Sequence, residues 1–154
     1  MAVLKILAGV AGLAAVGAIG EYAIASYFYN RTMVRSNAKR EKTQKMSGTD
    51  WDAYIPRIRE CKAQLNEMPY EDLYITSGDG LKLHATYFPC ENSKKVVICF
   101  HGYTSEGRND YSTLAVFYKK HGYHLLLVDE RAHGQSEGTY IGFGCLDRHD
   151  AMLW

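Results

Sequence analysis

Apolar positions follow three different rhythms along this chain. Residues 3–25 (VLKILAGVAGLAAVGAIGEYAIA) are apolar almost without interruption, with only Lys5 and Glu21 charged. That length matches the ~20 residues a helix needs to cross a bilayer. Over residues 49–65 the rhythm becomes helical: Trp51, Ile55, Ile58 and Leu65 fall roughly on one face, which predicts an amphipathic helix. A proline inside a helix costs about 3 kcal/mol, so this helix either kinks at Pro56 or begins near it with the proline in its first turn. Thr49 and Asp52 are the candidate N-terminal cap. From residue 69 onward the apolar runs are short. Residues 72–76 and 81–88 predict two strands of an antiparallel hairpin at a sheet edge, joined by Ser77-Gly78-Asp79-Gly80. In the second strand Leu81, Leu83, Ala85 and Tyr87 share one face, and Lys82, His84, Thr86 and Phe88 the other. Two further runs, Val96–Phe100 and 125–128, are too short for helices and rich in strand formers. Between them Ser112–Lys120 places Leu114, Phe117 and Tyr118 at helical spacing and closes on His121-Gly122. Strand, helix and strand in about 35 residues make a βαβ unit, which implies a parallel pair and a right-handed crossover. Residues 145–154 begin a last helix, whose dipole suits Asp147 and Asp150 in its opening turns.

The division that follows is a transmembrane or signal-anchor helix over 1–29, a basic linker over 30–48, an amphipathic helix over 49–68 and an α/β domain over 69–154. For the first segment three readings stand side by side: a retained anchor, a cleaved signal peptide with Ala23-Ile24-Ala25 before Ser26, and a buried core helix. As an anchor it would place Glu21 near one end and Tyr22, Tyr27, Phe28 and Tyr29 as an interfacial aromatic belt. Beyond it, Arg31, Arg35, Lys39, Arg40, Lys42 and Lys45 stand against Glu41 alone, a charge bias that puts the α/β side in the cytoplasm of a single-pass membrane protein. Signal cleavage would instead make it secreted or cell-surface. The basic run itself reads equally as a solvated linker or as a patch for phospholipid headgroups.

Composition narrows the partners. The net charge of +1 gives no global attraction to nucleic acid. Cys61, Cys90, Cys99 and Cys145 are irregularly spaced without a C-x-x-C pair, so neither a disulfide framework nor a zinc site is expected. Cys99, inside an apolar strand, reads as a small hydrophobe. His121-x-x-His124 straddles a helix end and a strand start, and there is no H-E-x-x-H, so no metal and no cofactor is expected.

Chemistry concentrates in the loops that leave the two strands at their carboxyl ends, where open α/β sheets place their sites. The first is His101-Gly102-Tyr103-Thr104-Ser105; the second is Asp129-Glu130-Arg131-Ala132-His133-Gly134-Gln135-Ser136-Glu137-Gly138. Together, in this order, they resemble the α/β-hydrolase family, in which the third strand ends in His-Gly-X and the fourth in Asp-X-Arg-Gly-His-Gly-X-Ser-X-Gly. The match spans residues 70–154, with Ala132 where the family usually has glycine. The resemblance implies a serine hydrolase acting on an ester, thioester or amide, with a small-molecule or acyl substrate. It implies that the Tyr103 backbone N–H is one of two oxyanion donors. His101, Gly102, Asp129, Arg131, His133 and Gly134 would support the loops, the arginine forked to carbonyls or a carboxylate and His133 capping a turn.

Gly134-Gln135-Ser136-Glu137-Gly138 fits G-x-S-x-G, but a nucleophile elbow is a turn directly between strand and helix. Here the strand ends at Asp129 or Glu130, and GTYIGFG follows. Ser136 is therefore not expected to be the nucleophile. The elbow, the triad acid and the triad histidine are expected downstream of Trp154, in a longer protein of which this is the front part, and the 154 residues alone are expected to be inactive. Two other classes remain open: a non-catalytic binding or scaffold protein on the same fold, and a small membrane protein whose C-terminal half completes its sheet with a partner.

Overall fold

The computed structural model describes residues 2–35 and 50–154, with side chains from Ala15 onward. Helix α1 (Ala2–Thr32) opens the chain. Among the described residues no helix is long and apolar enough to cross a membrane. The transmembrane reading of residues 3–25 is therefore without support. The described part of α1 carries Glu21, Asn30, Arg31 and the tyrosines at 22, 27 and 29, which dilute its apolar residues; the side chains of 3–14 lie outside the described residues.

Helix α2 (Ile55–Glu67) begins where Pro56 allows it, with the proline in its first positions, where no backbone N–H is needed. The expected cap is absent: Thr49 lies outside the described residues, and Asp52 makes no side-chain cap, since the N-cap residue is Tyr54. The buried stripe of α2 includes Cys61 and Leu65, so Cys61 belongs to the apolar face that the sequence pattern had assigned to Trp51, Ile55, Ile58 and Leu65.

Four strands follow: β1 (Glu71–Thr76), β2 (Lys82–Phe88), β3 (Val96–Phe100) and β4 (His124–Asp129), in the order β1-β2-β4-β3. The hairpin β1–β2 is antiparallel from Glu71 opposite Tyr87 to Thr76 opposite Lys82. Of the hairpin's two strands β1 alone lies at an edge, because β2 also pairs antiparallel with β4, His84 opposite Asp129 and Phe88 opposite Leu125. That is why β2 is buried on both faces, at Leu83 and Ala85 as well as at His84, Thr86 and Phe88. Strands β3 and β4 pair in parallel, from Val96 opposite His124 to Phe100 opposite Val128. Their crossover contains α3 (Gly107–Asp110), too short to leave a periodic signal, and α4 (Ser112–Lys120).

The two sheet faces hold separate cores. On one, Phe88, Cys99, Leu125 and Leu127 pack with Leu65 of α2 and Ala115 of α4. Phe88, Leu125 and Leu127 are at most 1% exposed, and each such side chain contributes about 1.5–3 kcal/mol on burial. On the other face Ala85, Leu126 and Val128 are covered by Tyr87, Phe100 and Trp154, the last following α5 (Asp147–Leu153). All four cysteines are free thiols, and burial pushes the Cys99 thiol above its ordinary value.

The described start of the basic stretch, Met33–Arg35, is tied to the segment after β4. Val34 bridges Tyr140, the Arg35 N–H donates to Thr139 O at 2.7 Å, and the Ile141 N–H donates to Met33 O at 2.7 Å. This strap lies across the segment that follows the β4 loop. The rest of the basic stretch, with Lys39, Arg40, Lys42 and Lys45, lies outside the described residues.

Candidate active site

Parallel pairing brings the carboxyl ends of β3 and β4 side by side, and the loops leaving them form the site. After Phe100, His101 is buried and Gly102 begins a turn closed by the Ser105 N–H on Gly102 O at 3.1 Å. Thr104, at φ 57°, occupies the left-handed position of a type II turn. Asp110 of α3 holds the turn from behind, accepting from the Gly102 N–H at 2.8 Å and from the Ser105 hydroxyl. The Tyr111 hydroxyl donates to Phe100 O. In this setting the Tyr103 backbone N–H donates to no group among the described residues. Its side chain turns toward the strap: the hydroxyl donates to Thr32 O at 2.9 Å, and the ring lies 5.1 Å from that of Phe143.

Asp129, the last residue of β4, is the hub of the second loop. Its buried carboxylate accepts from the His84 ring at 2.8 Å, the Gln135 N–H at 3.0 Å and the Gly107 N–H at 3.1 Å. One side chain thereby ties β2, α3 and the 130–138 loop to the end of β4. Burial pushes the Asp129 carboxyl up, but His84 and the two backbone donors outweigh it, and the group sits below its ordinary value. His84 is 1% exposed and hydrogen-bonded on its other nitrogen to Asp72 at 2.9 Å. Burial pushes its proton affinity down, yet the hydrogen bonds and charges of Asp129 and Asp72 prevail and raise it. Two carboxylates clasp the ring, one at each nitrogen, an arrangement that favours its protonated form.

Two glycine-region positions let the loop fold so closely. Gly134, at φ 47°, packs directly against the Asp129 carboxyl, and a Cβ there would overlap it. Gly107 approaches β4 so closely that a Cβ would meet Leu127 C and Val128 O at 3.0 Å. Ala132, the departure noted in the sequence, also adopts the left-handed conformation, at φ 62°. Ser136, 1% exposed, accepts from the His84 N–H at 2.8 Å and donates to Asp129 O at 2.5 Å. Its hydroxyl proton is committed to a backbone carbonyl, and no helix follows it directly, α5 beginning only at Asp147.

Arg131 is forked to carboxylates and not to carbonyls. It reaches Asp150 of α5 at 2.7 and 2.8 Å, and Asp79 of the β1–β2 turn at 3.0 and 3.2 Å. Hydrogen bonding to Arg131, then to the Ser77 hydroxyl, lowers the Asp79 carboxyl to about 2. His101 accepts the Glu130 N–H on Nε2 at 3.1 Å and therefore donates from Nδ1 to Gly102 O at 2.9 Å. His133 donates from Nδ1 to Arg131 O at 2.9 Å, and its ring meets that of His101 edge-on, with centroids 4.7 Å apart. Burial, then the neighbouring His101, pushes the His133 ring below its ordinary value.

All seven residues singled out from the sequence thus fall at the two strand ends. Sequence reasoning missed the groups that hold them: His84, Gly107, Asp110, Asp150 and Arg35. Arg35 donates to Ser136 O at 2.5 Å and to Gly134 O at 2.7 Å. Only Asp150 carried a signal, an acid in the first turn of a helix, and that signal points to the dipole and not to an arginine.

No family model matches the chain, and no curated protein sequence does. Among solved structures the chain is similar to a Pyrococcus furiosus esterase in two crystal forms. In one the identity is 36% and the TM-score 0.50, covering 57% of this chain and 34% of that one. In the other the values are 35% and 0.51, covering 58% and 35%. An α/β hydrolase from Novosphingobium aromaticivorans is 29% identical, with a TM-score of 0.45, over 56% of this chain and 31% of that one. The chain spans about a third of the length of these structures.

Proposed function

The chain carries an α/β-hydrolase fold, and from that premise we propose that it forms the oxyanion side of the crevice of a serine hydrolase acting on an ester, thioester or amide. The observation that carries this reading is the Tyr103 N–H. It stands at the end of β3 in a turn braced by Asp110 and donates to no described residue. A donor held in advance costs no reorganisation when charge develops on a carbonyl oxygen, and one such donor is worth about 2.7–4 kcal/mol in the transition state. The Asp129 hub sets the β4 loop beside it and holds α3, which braces the Tyr103 turn, so both walls of the crevice share one support.

The nucleophile is not Ser136, whose proton is given to Asp129 O and whose lone pair takes the His84 N–H. In this reading the nucleophilic serine, the histidine that activates it and the acid that orients the histidine come from residues outside 1–154. The open outer edge of β3, where Val96 and Ile98 are exposed, suits further strands of the same sheet.

The test is direct. Purified residues 1–154 are incubated with p-nitrophenyl butyrate and, separately, with a fluorophosphonate probe; neither turnover nor labelling is expected. Turnover that disappears in Ser136→Ala would overturn the assignment. In a form of the protein that carries the remaining strands, the probe should label a serine, and Tyr103→Pro, which deletes the N–H, should lower kcat by about 10²–10³.

A further inference from the structure

We propose that His101, Glu130 and His133 form a binding site for a divalent transition-metal ion, zinc in particular. One ligand atom from each residue lies within 4.8 Å of the other two, in a cluster drawn from both strand-end loops. An independent observation points to a ligand there. His133 is 7% exposed, and its Nε2 is buried without a hydrogen-bond partner among the described residues. With the proton on Nδ1 donated to Arg131 O, that Nε2 is a bare lone pair in the interior.

His101 is prepared in the same way, its Nδ1 proton held by Gly102 O. A backbone carbonyl on Nδ1 is what fixes the tautomer of a metal-binding imidazole and raises the basicity of Nε2. Glu130 is half-buried, and its carboxylate accepts no hydrogen bond from any described residue. Two imidazoles and one carboxylate are the donor set of a zinc site that keeps a fourth position open. Bonds of about 2.0–2.2 Å would set the ligand atoms about 3.3 Å apart, so separations now within 4.8 Å shorten by up to about 1.5 Å on loading. His101 Nε2 then exchanges the Glu130 N–H, 3.1 Å away, for the ion.

This inference does not depend on the hydrolase reading, because the site is complete within the described residues. Zinc chloride is titrated calorimetrically into the full chain with Cys90→Ser and Cys145→Ser, in phosphine reductant without chelator, so that the two less buried thiols do not compete. One equivalent should bind, and His133→Gln or His101→Gln should each weaken binding by about tenfold or more. In the chain with native histidines, nitrogen NMR should show both Nε2 resonances moving with zinc while the Nδ1 protons persist. Absence of binding at millimolar zinc, an affinity unchanged in His133→Gln, or Nε2 resonances that stay in place would each overturn the proposal.

Discussion

Arg131 presents one guanidinium to two carboxylates in opposite surroundings, and this makes an internal test of what burial does to an ion pair. Its side chain is 5% exposed; that of Asp150 is 7% exposed and that of Asp79 52%. Asp150→Asn keeps the shape but offers an amide N–H where the guanidinium needs an acceptor. Removing one partner of a buried pair costs about 3–5 kcal/mol where the remaining charge is left unpaired; here Arg131 keeps the exposed Asp79, so the cost belongs at the low end of that range. Asp79→Asn removes a partner that water replaces, and exposed pairs contribute little. With an m-value of about 2 kcal/mol/M, the urea midpoint should fall by about 1.5 M in the first variant and by far less in the second. Equal shifts, or a larger one for Asp79→Asn, would refute the claim that burial decides the strength of this fork.

The clasped His84 should be visible in the pH dependence. Its folded proton affinity is raised, so its contribution is fully present below the unfolded value of 6.5 and is lost as pH rises through the folded value. The difference in urea stability between wild type and His84→Gln should therefore shrink on the alkaline side; a difference that grows with pH would contradict it. His133 has the opposite sign, since its lowered affinity gives a contribution present above 6.5 and lost as pH falls below it, and His133→Gln should remove that slope. Gly134→Ala combines a left-handed backbone with overlap onto Asp129 and should cost more than about 2 kcal/mol by urea unfolding. Ser136→Ala should cost about 1–3 kcal/mol by the same measurement, because the buried His84 N–H loses its acceptor; a neutral effect would deny the hydroxyl that role.

What could be read from the sequence was what period and turn chemistry encode. Alternation and a glycine turn located β1 and β2, short apolar runs located β3 and β4, and the crossover arithmetic gave the parallel β3–β4 pair. The rank of β2 within the sheet was not readable, since an antiparallel partner on its second side leaves no local trace beyond the buried His84 and Thr86 on a nominally polar face. The metal cluster was invisible for a related reason. His101 and His133 lie on separate loops, and only the parallel register brings their rings together. Arg131 announced a fork but not its tines, which come from a turn and a helix far apart in the chain. The long apolar stretch at the N-terminus suggested a membrane span by its length, a reading that no described helix supports.

That same segment bears on how the crevice is held. The Arg35 guanidinium grips Ser136 O and Gly134 O on the β4 loop, while the carbonyl of Thr32 takes the Tyr103 hydroxyl from the β3 loop. Tyr29 and Tyr140 meet at 6.0 Å, adding an apolar contact on the same side. A single stretch of chain thus contacts both loops, while Asp129 holds the 130–138 loop and, through the Gly107 N–H, the helix whose Asp110 braces the Tyr103 turn, so the two loops share their supports. For the oxyanion donor proposed at Tyr103 this matters more than the net strength of any one bond, because its value depends on being in place before charge develops.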